Sequence, residues 1–213
     1  GTSRIRHRLN RLEAPPEQSN RYFKISYPFD AKTKEYKYGI DAADHSSAES
    51  RAGYLAEADR KQANLIRFKY NDKEEMFDGH SYNKGGQVLH MLRKYVGDDA
   101  FFASLKLYLE TNKYTSVEIH QLRMAFEKVT GEDLNWFFNQ WFMSPGHPDL
   151  VINTEYDATY KKQVVHIKQV QDFAKTPLFK IPMCIDLYVN GKVKRHKITI
   201  TKADEMVEFS VDS

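Results

Sequence analysis

The chain has 213 residues, of which 41% are hydrophobic and 13% aromatic, so it can build the core of one large domain or two small ones. Its 32 basic and 29 acidic residues are mixed along the sequence and give a formal net charge of +3, which predicts no nucleic-acid partner. The lone Cys184 excludes an internal disulfide and a cysteine-based zinc site, and no apolar run is long enough for a transmembrane segment.

Residues 1–34 form a basic arm without an assignable pattern. Arginines cluster near its start, Pro15-Pro16 interrupts it, and a short aromatic stretch runs from Tyr22 to Phe29. Polar segments broken by proline are usually extended, so we expect an arm with one strand at most. A basic arm that binds nucleic acid is the weaker alternative.

Helices are predicted from about Asp41 onward. Ala, Glu, Lys and Arg become frequent there, and apolar residues recur at helical spacing as far as Arg67. The pattern is clearer over residues 82–96, where three apolar residues share one face and Gly97 supplies a C-terminal stop.

The next helix begins at Asp98 and Asp99. Its apolar residues Phe102, Leu105 and Leu109 are aligned at helical spacing, which predicts that they form the packed face.

Two shorter helical segments complete this part of the chain. Thr115 with Glu118 matches a capping box, and the helix that follows ends at Gly131. Asp133 is placed to cap a helix over residues 134–142, which is too apolar to lie on a surface. We expect both tryptophans of that helix to lie in a core: Trp136 and Trp141.

The pattern changes to alternating apolar residues after a Pro- and Gly-rich breaker at 144–148. The Asn190-Gly191 pair between two of the alternating runs indicates antiparallel hairpins. The predicted fold class is therefore α+β, with a helical part at 35–146 and a small antiparallel β-sandwich at 147–213. Strands are expected at Leu150–Tyr156, Gln163–Val170, Phe179–Val189, Lys192–Thr201 and Val207–Val211.

The most specific motif is Tyr82-Asn83-Lys84-Gly85, which an apolar helix follows. With the sequence that continues through Trp136 and Trp141 to Pro148, it resembles the gluzincin zinc aminopeptidases, the family of aminopeptidase N, alanyl aminopeptidase and leukotriene hydrolase. The resemblance covers roughly residues 35–213. It implies that the helical part belongs to a thermolysin-like catalytic domain, and that this domain leads into a β-sandwich domain.

The resemblance implies a catalytic role for Tyr82. In this family the corresponding hydroxyl donates a hydrogen bond to the oxyanion of the tetrahedral intermediate, where negative charge develops. Lys84 and Gly85 complete the motif, and we expect them to be structural: Gly85 and Gly86 would let the helix start approach a neighbour closely.

The zinc-binding residues of the family are absent from this sequence. Such enzymes bind zinc through two histidines of a His-Glu-x-x-His helix and a glutamate of the following helix. The eight histidines here include no pair at i and i+4, and the family's Gly-x-Met-Glu-Asn motif for the substrate's amino terminus is also absent. We therefore expect this chain to bind no zinc, and the parent enzyme to carry zinc and peptide-binding residues in a missing N-terminal lobe.

Two further features have interpretations unrelated to catalysis. His80 could line a cleft beside Tyr82, but a solvent-facing loop histidine is the favoured interpretation. Basic residues lie on both faces of one predicted strand, which is typical of a protected sheet edge more than of an anion site. They are Lys192, Lys194, Arg195 and Lys197.

Three functions stay open at this point. The first is a fragment of a zinc aminopeptidase that removes N-terminal residues from peptides and is inactive alone. The second is a non-catalytic scaffold or partner-binding protein of the same architecture, and the third is an unrelated β-sandwich binding module with a helical cap. We expect a soluble protein, and its compartment, cytoplasmic or periplasmic or extracellular, is left open.

Overall fold

The computed structural model describes residues 51–211 and the backbone of a strand at 21–26. These residues fall into two compact units that join in sequence between Gly146 and His147, and the strand at 21–26 belongs with the second. In the described residues no helix combines the length and the apolarity that a membrane crossing would require. The assignment of the first unit to a catalytic domain stays a prediction.

The first unit is helical. A helix that includes residues 51–58 (α1) is followed by an irregular segment with one 3-10 turn at Lys73–Met76. A single π-helical turn then leads directly into the longer helices. The bounds are π-turn His80–Lys84, α2 Gly85–Val96, α3 Asp98–Asn112, α4 Ile119–Thr130 and α5 Asn135–Trp141.

The core of this unit lies where α2, α4 and α5 present their apolar faces. Phe126 and Leu92 are fully buried, and Phe101 of α3 packs edge-on against Phe126 at a centroid distance of 5.5 Å. Gly97 and Gly131 terminate α2 and α4 with positive φ angles of 87° and 72°, which only glycine adopts at little cost.

Four details of this unit correct the sequence-based expectations. The segment 61–67 is not helical, because the Ile66 amide donates to the Phe142 carbonyl at the end of α5 instead of to its own chain. The buried residues of α3 are Phe101 and Ser104, whereas Phe102 and Leu109 are more than half exposed. The predicted stripe therefore lies beside the packed face of α3.

The other two corrections concern a cap and a tryptophan. The capping box of α4 is formed by Glu118 and Gln121, not by Thr115 and Glu118, because the chain is still extended at Glu118. Trp141 is buried as expected, but Trp136 is only partly buried and packs edge-on against Tyr95 at 5.6 Å. At the start of α5, the Asp133 carboxylate does accept the Asn135 amide.

The second unit is a β-sandwich of two three-stranded antiparallel sheets, so the predicted α+β fold class is confirmed. One sheet has the order β1-β4-β5 and the other β2-β3-β6. The strands are β1 Arg21–Ser26, β2 Leu150–Asp157, β3 Lys162–Gln169, β4 Ile181–Val189, β5 Lys192–Ile200 and β6 Asp204–Ser210.

Alternating residues of the central strands form the core between the sheets. Ile181, Met183, Ile185 and Leu187 of β4 are buried, as are Val165 and Ile167 of β3. The β4–β5 hairpin turns at Asn190 and Gly191, whose φ angles of 50° and 74° confirm the predicted tight turn.

The N-terminal arm contributes one strand to this unit. β1 pairs antiparallel with β4, from Arg21 opposite Val189 to Ser26 opposite Cys184. The predicted single strand is thus present, while the rest of the arm lies outside the described residues.

Candidate functional site

Tyr82 lies in the middle of the π-turn that precedes α2. The residue is 63% exposed, and its ring lies beside Phe77 with the centroids 6.1 Å apart. Within residues 51–211 its hydroxyl makes no hydrogen bond. Most of Tyr82 is therefore accessible on this face of the helical unit.

The backbone around Tyr82 has one residue more than a regular helical turn. The amide of Lys84 donates to the carbonyl of Gly79 at 2.9 Å, and the amide of Gly85 donates to the carbonyl of His80. Such π-turns are uncommon and are found frequently at functional sites. Here the extra residue leaves His80 and Lys84 on the buried side of the turn and Tyr82 on the exposed side.

His80 is fully buried, so the favoured expectation of a solvent-facing loop histidine is wrong. Its Nδ1 lies 3.0 Å from Oε1 of Glu57, and its ring meets the ring of Tyr54 edge-on at 5.3 Å. Its Nε2 is buried and has no hydrogen-bond partner among the described residues. Glu57 and Tyr54 belong to α1, more than twenty residues earlier, and no spacing in the sequence indicates this contact.

Asp78 holds the other side of the turn through ionic hydrogen bonds. Its carboxylate accepts from Arg67 at 2.9 Å, from Lys61 at 2.7 Å and from the Ser81 amide at 2.8 Å. Burial by itself would raise the pKa of Asp78, but the bonds from Arg67, Lys61 and Ser81 outweigh it and hold that pKa well below the usual range. Asp78 is therefore ionised throughout the physiological pH range.

Lys84 is buried, and the structural role expected of it stays a prediction. Its Nζ lies 3.4 Å from the Ser144 carbonyl oxygen and 5.9 Å from the centroid of the Tyr54 ring. Burial lowers the pKa of Lys84 to about 8, because the charged ammonium loses most of its hydration.

The close approach that was expected at Gly85 and Gly86 is not observed. A Cβ on Gly86 would meet nothing within 4 Å, and one on Gly85 would be at an ordinary 3.6 Å from Leu65. The close approaches occur instead at Gly79 and Gly53, where a Cβ would lie 2.4 Å from Glu57 Oε2 and 2.7 Å from Asn83 Nδ2. Both glycines lie where α1 contacts the π-turn, and no local sequence pattern predicts that contact.

One group of described side chains has donors close enough together to be tested as a metal site. The donor atoms of Glu57, Asp78 and His80 lie within 4.8 Å of one another. Asp78, however, is already neutralised by Lys61 and Arg67, and Glu57 is engaged by the Gly79 amide and by His80. A zinc ion here would face two cations and would find one histidine, whereas catalytic zinc sites of this kind use two. The residues present do not fit the catalytic zinc of the resembled enzymes.

The basic strand predicted as a sheet edge is β5, which pairs only with β4 among the described strands. Lys192, Lys194 and Lys197 are exposed. Arg195 differs from them, because its guanidinium donates twice at 2.7 Å to Asp186, a residue only 2% exposed. The edge-strand interpretation agrees with this arrangement.

Comparison with known proteins gives one family. Residues 42–141 match the model of the peptidase family M1 domain. The chain is 28% identical over 137 residues to a probable aminopeptidase 1 of Sulfurisphaera tokodaii, covering 64% of this chain and 16% of that protein. It is 37% identical over 67 residues to the aminopeptidase N of Lactococcus lactis, which is 32% of this chain and 8% of that protein.

A solved structure shares the fold. The crystal structure of Legionella pneumophila aminopeptidase A in complex with aspartic acid superposes with a TM-score of 0.60 at 18% identity, over 73% of this chain and 18% of that one. The chain thus spans less than a fifth of the length of these relatives.

Proposed function

Because residues 42–141 match the model of the peptidase family M1 domain, we propose that this chain is part of a zinc-dependent aminopeptidase, an enzyme that removes residues from the amino termini of peptides. It supplies one catalytic side chain of that enzyme, the phenol of Tyr82. The helical unit around Tyr82 is the part of the chain that carries the family match.

The observation that carries this proposal is the presentation of Tyr82. The residue stands in the Tyr-x-Lys-Gly motif, on a turn held from both sides, with its hydroxyl on the exposed face. A hydroxyl placed in this way can donate a hydrogen bond to the oxygen of a peptide carbonyl as negative charge develops there. Removal of one such donor usually costs about a hundredfold or more in rate.

The metal and the general base are proposed to come from another lobe of the same protein. Zinc in such enzymes activates a water molecule and polarises the peptide carbonyl. The residues of this chain do not fit that ion, and its histidines include no i, i+4 pair. The small share of the relatives' length that the chain spans supports a division of the site between two lobes.

The test uses the full-length product of the gene from which the chain derives. Tyr82→Phe is expected to lower kcat for an aminoacyl-anilide by about a hundredfold and to change KM by less than about twofold. Tyr114→Phe is the control, because Tyr114 is fully exposed in the same helical unit and lies at the α3–α4 connection. An unchanged kcat in the Tyr82→Phe enzyme would overturn the proposal.

A non-catalytic scaffold of the same architecture is the second candidate. The absence of His-Glu-x-x-His from the sequence favours it. The two candidates differ in the full-length gene: the enzyme requires a His-Glu-x-x-His segment upstream of Tyr82, and the scaffold requires none. Under either candidate the 213-residue chain alone neither retains zinc at a stoichiometric level nor cleaves aminoacyl-anilides, and zinc retained through gel filtration would contradict both.

A further inference from the structure

We propose that Glu57 is the positioning residue for Tyr82, and that its carboxylate clamps the π-turn so that the phenol is held on the exposed face. This inference rests on the proposed function for its catalytic meaning. The clamp itself is a property of the 213-residue chain and can be tested there.

The clamp consists of two bonds from one carboxylate. Oε2 of Glu57 accepts the backbone amide of Gly79 at 2.6 Å, and Oε1 lies 3.0 Å from Nδ1 of His80. These two groups are consecutive residues at the entrance of the π-turn, two and three positions before Tyr82. A bidentate carboxylate therefore fixes both the backbone and a side chain at the point where the turn begins.

The space around Gly79 is shaped for this carboxylate. A Cβ at Gly79 would lie 2.4 Å from Oε2 of Glu57, so any other residue would displace the clamp. The φ angle of Gly79 is −64°, which every residue adopts. A Cβ at this position would therefore conflict with the bound position of the Glu57 carboxylate and not with the backbone conformation.

Other contacts with α1 keep the same side of the turn buried. The ring of Tyr54 meets His80 edge-on at 5.3 Å, and Asn83 is so close to Gly53 that a Cβ there would lie 2.7 Å from its Nδ2. Positions 79, 80 and 83 thus all face α1, and Tyr82 is left pointing outward. Loss of the clamp would free the turn to revert to a regular helical turn, which reorients Tyr82.

The geometry also fixes the tautomer of His80. A carboxylate only accepts hydrogen bonds, so the Nδ1 that faces Glu57 carries a proton. Its Nε2 is buried without a partner among residues 51–211, so a proton on Nε2 would find no acceptor among them, and we infer the tautomer with its proton on Nδ1.

Glu57→Gln weakens the clamp with little change of shape, because it removes the negative charge and one of the two acceptor oxygens. The Gly79 amide still needs an acceptor, so the new amide group turns its NH₂ toward His80. His80 must then accept at Nδ1 and move its proton to Nε2. The expected result is a change of tautomer at His80 together with a looser turn, because both hydrogen bonds lose their charge and the new Nε2–H has no acceptor among the described residues.

The first test is made on the 213-residue chain by NMR. In the unmodified protein, ¹⁵N spectra are expected to show His80 protonated at Nδ1, and the Gly79 amide should exchange more slowly with solvent than those of the exposed Lys69 and Tyr70. A His80 proton on Nε2, or a Gly79 amide that exchanges as fast as those two, would overturn the clamp. This measurement requires no variant and so does not depend on any variant folding.

The variant arm uses fluorotyrosine in place of tyrosine, with the Tyr82 ¹⁹F signal assigned by its loss in Tyr82→Phe. Glu57→Gln is expected to shift that signal and to move the His80 proton to Nε2. Glu127→Gln is the matched control, because Glu127 also uses both oxygens, on the Leu134 amide at 3.0 Å and on Arg123 at 2.6 Å. An unshifted Tyr82 signal in Glu57→Gln, or an equal shift in Glu127→Gln, would count against positioning.

The catalytic meaning is tested by a double-mutant cycle in the full-length product. If Glu57 acts through Tyr82, Glu57→Gln lowers kcat about tenfold to a hundredfold with KM nearly unchanged, and it has little further effect when combined with Tyr82→Phe. Full additivity of the two substitutions would reject positioning. No effect of Tyr82→Phe by itself would instead reject the proposed function, while the NMR results on the clamp stand.

Discussion

Nζ of Lys84 lies 3.4 Å from the carbonyl oxygen of Ser144, and this contact joins the Tyr-x-Lys-Gly motif to the segment that follows α5. Lys84 is only 3% exposed. Within residues 51–211 its ammonium group forms a hydrogen bond to a carbonyl oxygen and no ion pair with a carboxylate. A buried ammonium with a single long hydrogen bond is costly, because its hydration is not replaced. The fold tolerates Lys84 at the expense of stability.

Lys84→Met is therefore expected to stabilise the chain. Burial lowers the pKa of Lys84 to about 8 from about 10.5, so the cost of burying the charge is fully present below pH 8 and is relieved as the pH rises toward 10.5. At pH 7 the substitution should raise the free energy of unfolding by about 1–3 kcal/mol in urea titrations. The difference in the free energy of unfolding between the variant and the unmodified chain should become smaller by pH 10. A difference that becomes larger instead would contradict this account.

Asp78→Asn is expected to destabilise the chain in a pH-dependent way. Hydrogen bonds from Arg67, Lys61 and Ser81 overcome the effect of burial and depress the pKa of Asp78. A depressed carboxyl pKa contributes stability above the ordinary value of about 4, and that contribution is lost as the pH falls through the folded-state pKa. The stability difference between Asp78→Asn and the unmodified chain should be largest above about pH 5 and should shrink progressively below about pH 4. Thermal unfolding at a series of pH values measures it, and a constant difference would be inconsistent with this ion-pair network.

Two glycines of the same region should respond in opposite directions to alanine. Gly79→Ala forces the flexible Glu57 side chain away, which leaves the Gly79 amide and the buried His80 without their acceptor, at about 1–3 kcal/mol. Gly86→Ala meets nothing within 4 Å inside a helix, so it should stabilise by about 0.5–1 kcal/mol. Urea denaturation of both variants checks the pair. Equal changes in the free energy of unfolding for Gly79→Ala and Gly86→Ala would mean that the contact of Glu57 with Gly79 does not form.

Arg195→Ala should destabilise the β-sandwich by about 1–3 kcal/mol, because it leaves the buried carboxylate of Asp186 without its bidentate partner. The guanidinium side is half exposed, and water that replaces it keeps the cost below that of a fully buried pair. Lys194→Ala, at the adjacent exposed position of β5, should change stability by less than about 0.5 kcal/mol. Similar losses in the two variants would show that Asp186 does not depend on Arg195.

Local patterns were sufficient for most of the secondary structure. Asn190-Gly191 predicted a turn whose two positive φ angles the structure contains, and the alternation of apolar residues predicted β4 and its partners. Errors occurred where a partner from elsewhere decides the outcome. Residues 61–67 have helical composition, yet the Ile66 amide is bonded to Phe142. The packed face of α3 is set by α4, which selects Phe101 and not Phe102.

The candidate site divides in the same way. The sequence alone determined Tyr82 as the residue of interest and showed that no i, i+4 histidine pair exists, because both are properties of short-range spacing. Only the tertiary structure brought Glu57 to His80, buried that histidine and turned Tyr82 outward. The physical reason is that a carboxylate clamp depends on distance in space, and Glu57 and His80 are 23 residues apart along the chain. Two residues that far apart in sequence come together only when α1 packs against the π-turn, so their spacing by itself does not predict the contact.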